Sequence, residues 1–278
     1  MKILCTSDWH MGIYGDPSDA LKLSNKQIID LLDRWENEYD LIVLNGDIFE
    51  ILKNIRIKFS HYDQTMRILD DRREIVDRLV ASKKYLWVVG NHDYTLEHIL
   101  DLPLKIKIEL NDGFTLIAEH GHLLRAPKEH YSVYAWHFHL MYCLSWWIDK
   151  LGMAISGQEF CIDTLIAQEL AGWPSKAPDP SWQGRVKEHI VKLAMSYASL
   201  NSDSDYRSLN ALLLQAAQQQ CKQNKTLVTY GHSHCRHIEH LAKSNIYVNT
   251  GSFCAKNQYS YVVFSTETEK IEVLCSTL

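Results

Sequence analysis

The chain has 278 residues, 46% of them hydrophobic, and a formal net charge of −5. That length buries one large core, or a core with a substantial insertion, and the acidic balance argues against a sequence-blind nucleic-acid groove, which needs a basic surface. The seven cysteines are an odd number without a CxxC pair, and read as reduced thiols of a cytoplasmic setting rather than as a disulfide framework.

Residues 2–7 form a short apolar strand that runs straight into Asp8-Trp9-His10, and no leader with an apolar h-region and cleavage site fits before it. Residues 20–39 place Leu21, Ile28, Leu31, Leu32 and Trp35 at helical spacing. Residues 40–45 (DLIVLN) make a buried-type strand ending at Gly46-Asp47. A second amphipathic helix over 62–82 leads to a third strand, 85–89, which ends at Gly90-Asn91-His92-Asp93. This alternation implies parallel strands joined by crossover helices, with ligand-binding groups at the carboxyl ends of the strands.

Residues 105–110 and 114–119 flank Asn111-Asp112-Gly113, a hairpin signal, and the second strand delivers His120-Gly121-His122. Residues 123–225 read as a helical insertion, broken near Pro174, Pro178 and Pro180. The rest is strand-rich, at 226–230, 237–241, 246–249, 259–264 and 271–274, with Gly231-His232-Ser233-His234 after the first of these. A mostly antiparallel second sheet is the natural expectation. The longest near-apolar stretch, 138–148, is interrupted by His139 and Ser145, and is too short for a membrane span of about 20 residues.

The groups that punctuate the strands share one chemistry. At roughly 5% usage per residue type, a tetrapeptide such as GNHD recurs about once in 160,000 positions; five ordered groups rich in Asp, His and Asn are not accidental. In extended chain, residues two apart project to the same side, so Asp8/His10 and His232/His234 can each pinch one metal ion or serve two adjacent ones. Asp47, on a glycine turn, can bridge two ions, and Asn91 offers a neutral amide oxygen. Either His120 or His122 supplies a further ligand; His120, which ends its strand, is favoured, with His122 beside it as a supporting or substrate-binding group. Carboxylate, amide oxygen and imidazole without thiolate suit two divalent ions of Mn, Fe, Zn or Co, with Mn favoured, and do not match a structural zinc site. Such a pair would polarise a phosphoryl group and stabilise both axial oxygens of an in-line displacement. His92 is the candidate general acid, with Asp93 holding its imidazole in one tautomer. The competing account, a buried polar network without metal, suffers from the cost of burying unpaired carboxylates. The other histidines, His137 and His139 included, read as structural.

The ordered set DxH, GD, GNHD, HGH and GHxH, over about 1–123 and 227–278, resembles the calcineurin-like metallophosphoesterase superfamily. The resemblance implies an α/β (α+β) fold: a two-sheet β-sandwich flanked by helices, a single domain over 1–278 with the helical insertion of 123–225 as a lid or cap. It implies one metal on Asp8, His10, Asp47 and His234, and a second on Asp47, Asn91, His120 and His232. Gly46-Asp47-Ile48-Phe49-Glu50, the insertion before GHSH, and Val248-Asn249-Thr250-Gly251-Ser252 are similar to the UDP-2,3-diacylglucosamine pyrophosphatase group, which cleaves a pyrophosphate in a nucleotide-linked lipid precursor. This chain departs from that group in having His92 in place of arginine and His122 in place of aspartate, and in its longer insertion.

Aromatic residues crowd 131–153, with Tyr131, Tyr134, Trp136, Phe138, Tyr142, Trp146 and Trp147. They form either a helix packed between lid and core or a surface for an acyl or isoprenoid tail, which would also permit peripheral contact at the inner face of the membrane. Arg125, Lys128 and the run Lys53, Arg56 and Lys58 are candidate phosphate contacts. The expected function is hydrolysis of a phosphodiester or pyrophosphate carrying a lipid-like part. The alternatives are a phosphomonoesterase, protein phosphatase or nuclease of the same superfamily, or an inactive binding scaffold, which usually lacks several ligands.

Overall fold

A computed structural model of the chain describes residues 1–16, 19–51, 61–122, 203–254 and 259–276. Every residue of β1 (Lys2–Thr6) after Lys2 is buried, as in a strand covered on both faces. It pairs in parallel with β2 (Leu41–Asn45), which pairs in parallel with β3 (Tyr85–Val88). Helix α1 (Asn25–Glu38) makes the first crossover and buries Ile28, Leu31, Leu32 and Trp35. Ser24 caps it reciprocally: its Oγ accepts from the Gln27 N–H while Gln27 Oε1 accepts from the Ser24 N–H. That capping box starts the helix at Asn25, later than hydrophobic spacing alone implies.

The second crossover is two helices, α2 (His61–Asp71) and α3 (Arg73–Ala81), where the sequence pattern reads as one. The break falls at Arg72, whose φ of −107° and ψ of 19° leave the helical region. Arg72 is fully buried. Its Nε donates to Gly12 O at 2.9 Å, Nη1 to Leu23 O and Asn25 Oδ1, and Nη2 to Asp19 Oδ2 at 2.9 Å. Asp19, itself buried, also accepts from the Gly12 N–H. The interrupted helix thus aims a guanidinium into the loop behind the first motif and satisfies that loop's carbonyls.

A single helical turn, α4 (Leu96–Ile99), follows β3 and is not evident in the sequence. Strands β4 (Lys105–Glu109) and β5 (Thr115–Glu119) form the expected hairpin, with Gly113 at φ +77°. Then come α5 (Asp203–Gln220), β6 (Thr226–Tyr230), β7 (His237–Leu241), β8 (Asn245–Asn249), β9 (Tyr259–Ser265) and β10 (Lys270–Ser276). The strands form two mixed five-stranded sheets, ordered β10-β9-β1-β2-β3 and β4-β5-β6-β8-β7.

The expectation of a mostly antiparallel second sheet needs correcting twice. The last two strands return to the first sheet, where β9 lies antiparallel to β1. In the second sheet β5, β6 and β8 are parallel, and only the edge strands β4 and β7 are antiparallel. Burial explains the difference: β5, β6 and β8 are buried at every residue, whereas β4 and β7 are partly exposed. Between the sheets pack Ile3, Cys5, Val43, Leu116, Leu227 and Phe264. Leu4, Ile42 and Leu44 face helices on the other side of the first sheet, and Val228 and Tyr247 face Leu209, Leu213 and Ala217 of α5 on the other side of the second.

The chain divides into two compact units, Met1–Arg125 with Leu209–Leu278, and Ala126–Ser208. The aromatic segment 131–153, Arg125 and Lys128 lie outside the described residues, as do Lys53, Arg56 and Lys58 and all of the expected insertion before 203. Among the described residues no helix is long and apolar enough to cross a membrane.

Replacing Arg72 by methionine, of similar length, strands Asp19 and two loop carbonyls. The expected cost is about 3–5 kcal/mol in urea unfolding, the range for breaking a buried pair; a loss of about 0–1 kcal/mol, typical of exposed pairs, would contradict the role given to Arg72.

Candidate metal centre

Asp8 and His10 follow β1, Asp47 follows β2, Asn91 to Asp93 follow β3, His120 follows β5, and His232 and His234 follow β6. Side-chain aim comes from left-handed backbone, at Asp8 (φ 54°), His10 (48°), Asp47 (53°), His232 (67°) and His234 (53°). Extended-chain alternation, which the sequence pattern implies for the Asp8/His10 and His232/His234 pairs, is therefore not the device. Non-glycine residues in this region cost on the order of 1–3 kcal/mol each and persist where the surroundings enforce them. Here the first two turns are zipped together: Asp8 N–H donates to Gly46 O, His10 N–H to Asp47 O and Met11 N–H to Ile48 O, at 3.1, 3.0 and 2.9 Å. A Cβ on Gly90 would lie 2.1 Å from Asp47 Oδ1, and one on Gly46 2.8 Å from His120 Cβ, so only glycines allow these backbones to close on the acid.

Three groups of donors converge among the described residues: two are built on Asp8 and Asp47, and the third is His10, Glu50 and His92. In the first, Asp8, His10 and His234 bring their ligand atoms within 4.8 Å of one another. Asp8 Oδ2 accepts from Ser7 Oγ and from the His232 N–H. Asp8 Oδ1 is buried without a hydrogen bond and faces His234 Nε2 at 3.1 Å and His10 Nε2 at 3.9 Å. The two Nε2 atoms are 3.3 Å apart. In the second group, Asp47, His120 and His232 meet in the same way. Asp47 Oδ1 accepts the His92 N–H at 2.8 Å, while Oδ2 lies 3.1 Å from His120 Nε2. Asn91 Oδ1 is also 3.1 Å from His120 Nε2. His120 Nδ1 donates to Asn45 O at 2.6 Å; a carbonyl only accepts, which fixes the hydrogen on Nδ1 and turns Nε2 to the oxygens. The HxH pair after β6 is thus split between the groups, His234 to the first and His232 to the second.

A third acid links the first group to the candidate proton donor. Glu50 is fully buried. Its Oε2 lies 3.0 Å from His10 Nδ1 and its Oε1 2.8 Å from His92 Nδ1. Sequence reasoning gave Glu50 no role in the site; its signal was its place three residues after Asp47 in GDIFE. The tautomer-holding role expected of Asp93 is corrected accordingly. Asp93 Oδ1 accepts the Gly90 N–H and Oδ2 the Ile48 and Phe49 N–H groups, so its carboxyl group braces the turns after β2 and β3, while the acid at His92 is Glu50. His122 stands beside the second group, its ring 5.5 Å from that of His120 and 6.2 Å from that of His232, and is not among its three converging donors.

Burial works against ionisation of Asp8 and Asp47, but His234 beside the first and His120 beside the second outweigh it. Both carboxyls are held below the usual range, Asp47 well below. Burial likewise opposes charge on His120, yet Asp47 and Asp8 raise it to about 9. His234 is raised by Asp8 against its burial. His232 is pushed down to about 3 by burial and then by His120. Burial lowers His10 and His122. Asp93 is pushed up to about 7 by burial, then by the charge of Asp47. The donor set fits divalent cations: each group joins a buried carboxylate oxygen to converging imidazole nitrogens, and a bound cation would replace the protons that the acids otherwise draw onto His120 and His234. Cys254 Sγ approaches Trp9 O at 3.4 Å, and burial holds its thiol up at about 11.

Sites of this kind cut phosphoesters with the help of metal ions, and that is the class of protein to which fold and donors together point. The chain belongs to the calcineurin-like phosphoesterase family, whose profile matches residues 1–236. The family is one of metal-dependent phosphoester hydrolases with a dinuclear divalent centre. No curated protein sequence matches. Among solved structures, a novel archaeal phosphodiesterase is 15% identical, with 99% of this chain and 100% of that one covered and a TM-score of 0.39. A dimetal phosphatase from Danio rerio is 11% identical, with 95% and 91% covered and a TM-score of 0.44.

Glu50→Gln keeps the size of the side chain but removes the charge between two imidazoles. Such outer contacts to metal-binding histidines are worth about 10–100-fold in metal affinity. A loss of that order is expected in chelator-competition titration with Mn²⁺, and unchanged affinity would remove Glu50 from the centre.

Proposed function

We propose that the protein hydrolyses a phosphodiester or pyrophosphate that carries an apolar, lipid-like part, such as a nucleotide-linked lipid precursor. One ion is assigned to Asp8, His10, Asp47 and His234 and the other to Asp47, Asn91, His120 and His232, with manganese the favoured metal. Bound there, the two ions supply Lewis acidity at the phosphoryl oxygens and lower the pKa of water. The observation that supports the catalytic reading is the Glu50 bridge: it holds His92 Nδ1 at 2.8 Å, with the His92 N–H on Asp47, and we read Nε2 as the atom of the proton transfer. Water, giving up a proton to solvent, attacks phosphorus in line, the P–O bond to the leaving group breaks, and the proton on His92 Nε2 passes to the departing oxygen.

The apolar part of the substrate is argued from the aromatic run at 131–153, which we read as belonging to a lid on a single catalytic domain, within the insertion expected at 123–225, whose last helix, α5, packs on the second sheet. Tyrosine and tryptophan suit such a surface because each joins an apolar body to a polar tip. Arg125 and Lys128 are read as phosphate contacts and His122 as a substrate contact. The setting we infer is cytoplasmic, with peripheral contact at the inner membrane through the same run.

With Mn²⁺, turnover of a nucleotide-linked lipid pyrophosphate is expected well above that of bis-p-nitrophenyl phosphate and p-nitrophenyl phosphate. Activity on the aryl esters alone would remove the lipid reading and favour a monoesterase, protein phosphatase or nuclease. Inactivity with Mn²⁺, Zn²⁺, Fe²⁺ and Co²⁺ would bring the binding scaffold forward. In a leaving-group series, His92→Ala is expected to lower kcat about 10²–10⁴-fold for poor leaving groups and far less for aryl phosphates; equal losses would rule out proton donation by His92.

A further inference from the structure

The loop carrying His232 and His234 is anchored by a residue that none of the motifs contains. Asn210 lies in the N-terminal half of α5, the helix that covers the outer face of the second sheet through Leu209, Leu213 and Ala217. Its amide engages the histidine loop at two points and the end of β8 at a third. Oδ1 accepts from Ser233 Oγ at 2.9 Å and from Asn249 Nδ2 at 3.2 Å, and Nδ2 donates to Cys235 O at 3.0 Å. Asn249 Nδ2 also donates to Gly231 O at 2.9 Å, and its Oδ1 accepts the Gly251 N–H at 3.0 Å. The loop is therefore gripped at Gly231, Ser233 and Cys235, the positions that alternate with the two histidines.

That alternation matters. Ser233 is fully buried, and its hydroxyl points to Asn210 while His232 and His234, both left-handed, serve different donor groups. Rotation of the loop about its own axis would carry both imidazoles off their partners together. The same helix meets the other histidine turn, since a Cβ on Gly121 would lie 2.6 Å from Leu213 Cδ2. Asparagine is a mediocre residue for a helix interior because its amide competes for backbone groups; here that amide is directed wholly at another element.

We infer that Asn210 is a positioning residue for both metal ions, acting through Ser233 and Cys235 to set the angle at which His232 and His234 are presented. The inference rests on the assignment of those histidines as metal ligands. The test is titration of chelator-treated protein with Mn²⁺, with thermal unfolding measured on the same samples. Wild-type protein is expected to bind two ions. Asn210→Leu, close in size and a better helix former, is expected to lose about 10–100-fold in affinity at both sites, the scale for outer contacts to metal ligands. Asn210→Asp keeps the acceptor for Ser233 and Asn249 but sets an oxygen against Cys235 O; it is expected to fall between, and carries the comparison if the leucine variant does not fold.

Asn25→Leu is the control. Asn25 donates to Asp71 O at 2.7 Å and accepts from Arg72, outside the histidine loop, so it is expected to lower the Tm while leaving Mn²⁺ affinity as in wild type. Asn210 variants that behave like Asn25→Leu, less stable but binding both ions normally, would overturn the inference. A wild-type chain that binds no pair of ions would instead sink the metal assignment on which the inference rests, and the two failures are read from different samples.

Discussion

At the carboxyl ends of their central strands the two sheets are tied by buried hydrogen bonds, two of them made by Asn45. Its carbonyl accepts from His120 Nδ1 at the end of β5, and its side-chain oxygen accepts from Thr229 Oγ1 on β6 at 2.9 Å. Asn45 is fully buried, where an unmade hydrogen bond costs more than a made one contributes, so the sheets are held at the separation that satisfies both contacts. Gly46 follows at φ +82° and closes against Gly90. Asp47 then emerges where residues from both sheets reach it. A centre built from five strand ends requires such a fixed separation, because an error of an ångström at the sheets becomes an error of an ångström at every donor.

Within that frame the two carboxylates share one arrangement. Each gives one oxygen to protein donors, Ser7 Oγ and the His232 N–H for Asp8 and the His92 N–H for Asp47, and presents the other to imidazole. Fixing one oxygen orients the other before any ligand arrives, which is the sense in which a charged site is preorganised. The left-handed backbone at five of these residues sums to strain of the order of the net stability of a whole domain, about 5–15 kcal/mol. It is tolerated because the packed sheets on either side leave the turns no other path. Braces such as Asp93, with three backbone N–H groups on one carboxyl group, are part of that enforcement rather than of the chemistry.

Much of this was legible in the sequence because strand ends and ligand types are local signals. Runs such as DLIVLN, followed at once by Gly-Asp, place both a buried strand and its cargo. What was not legible depends on contacts between distant residues. The split of the second crossover at Arg72 follows from Asp19, Gly12 and Leu23, which no helical period reveals. The return of β9 and β10 to the first sheet is a choice between two possible partners, and alternation within a strand does not name the partner. Glu50 and Asp93 both stand near His92 in sequence, and either could have held it. Only the fold shows that the amides of Gly90, Ile48 and Phe49 occupy Asp93.

The pairing of β1 with β9 also sets an order of events for the nascent chain. Strand β1 lies between β2 and β9, so β1 has one edge unsatisfied until residues 259–265 have left the ribosome. By then every candidate ligand from Asp8 to His234 has already been synthesised. The amino-terminal sheet must wait, part-formed and with a strand edge exposed, while the intervening chain emerges, a circumstance in which sheet proteins are prone to pair with the wrong strand. A chain arrested before β9 would carry the whole set of metal-binding groups on an incomplete sheet.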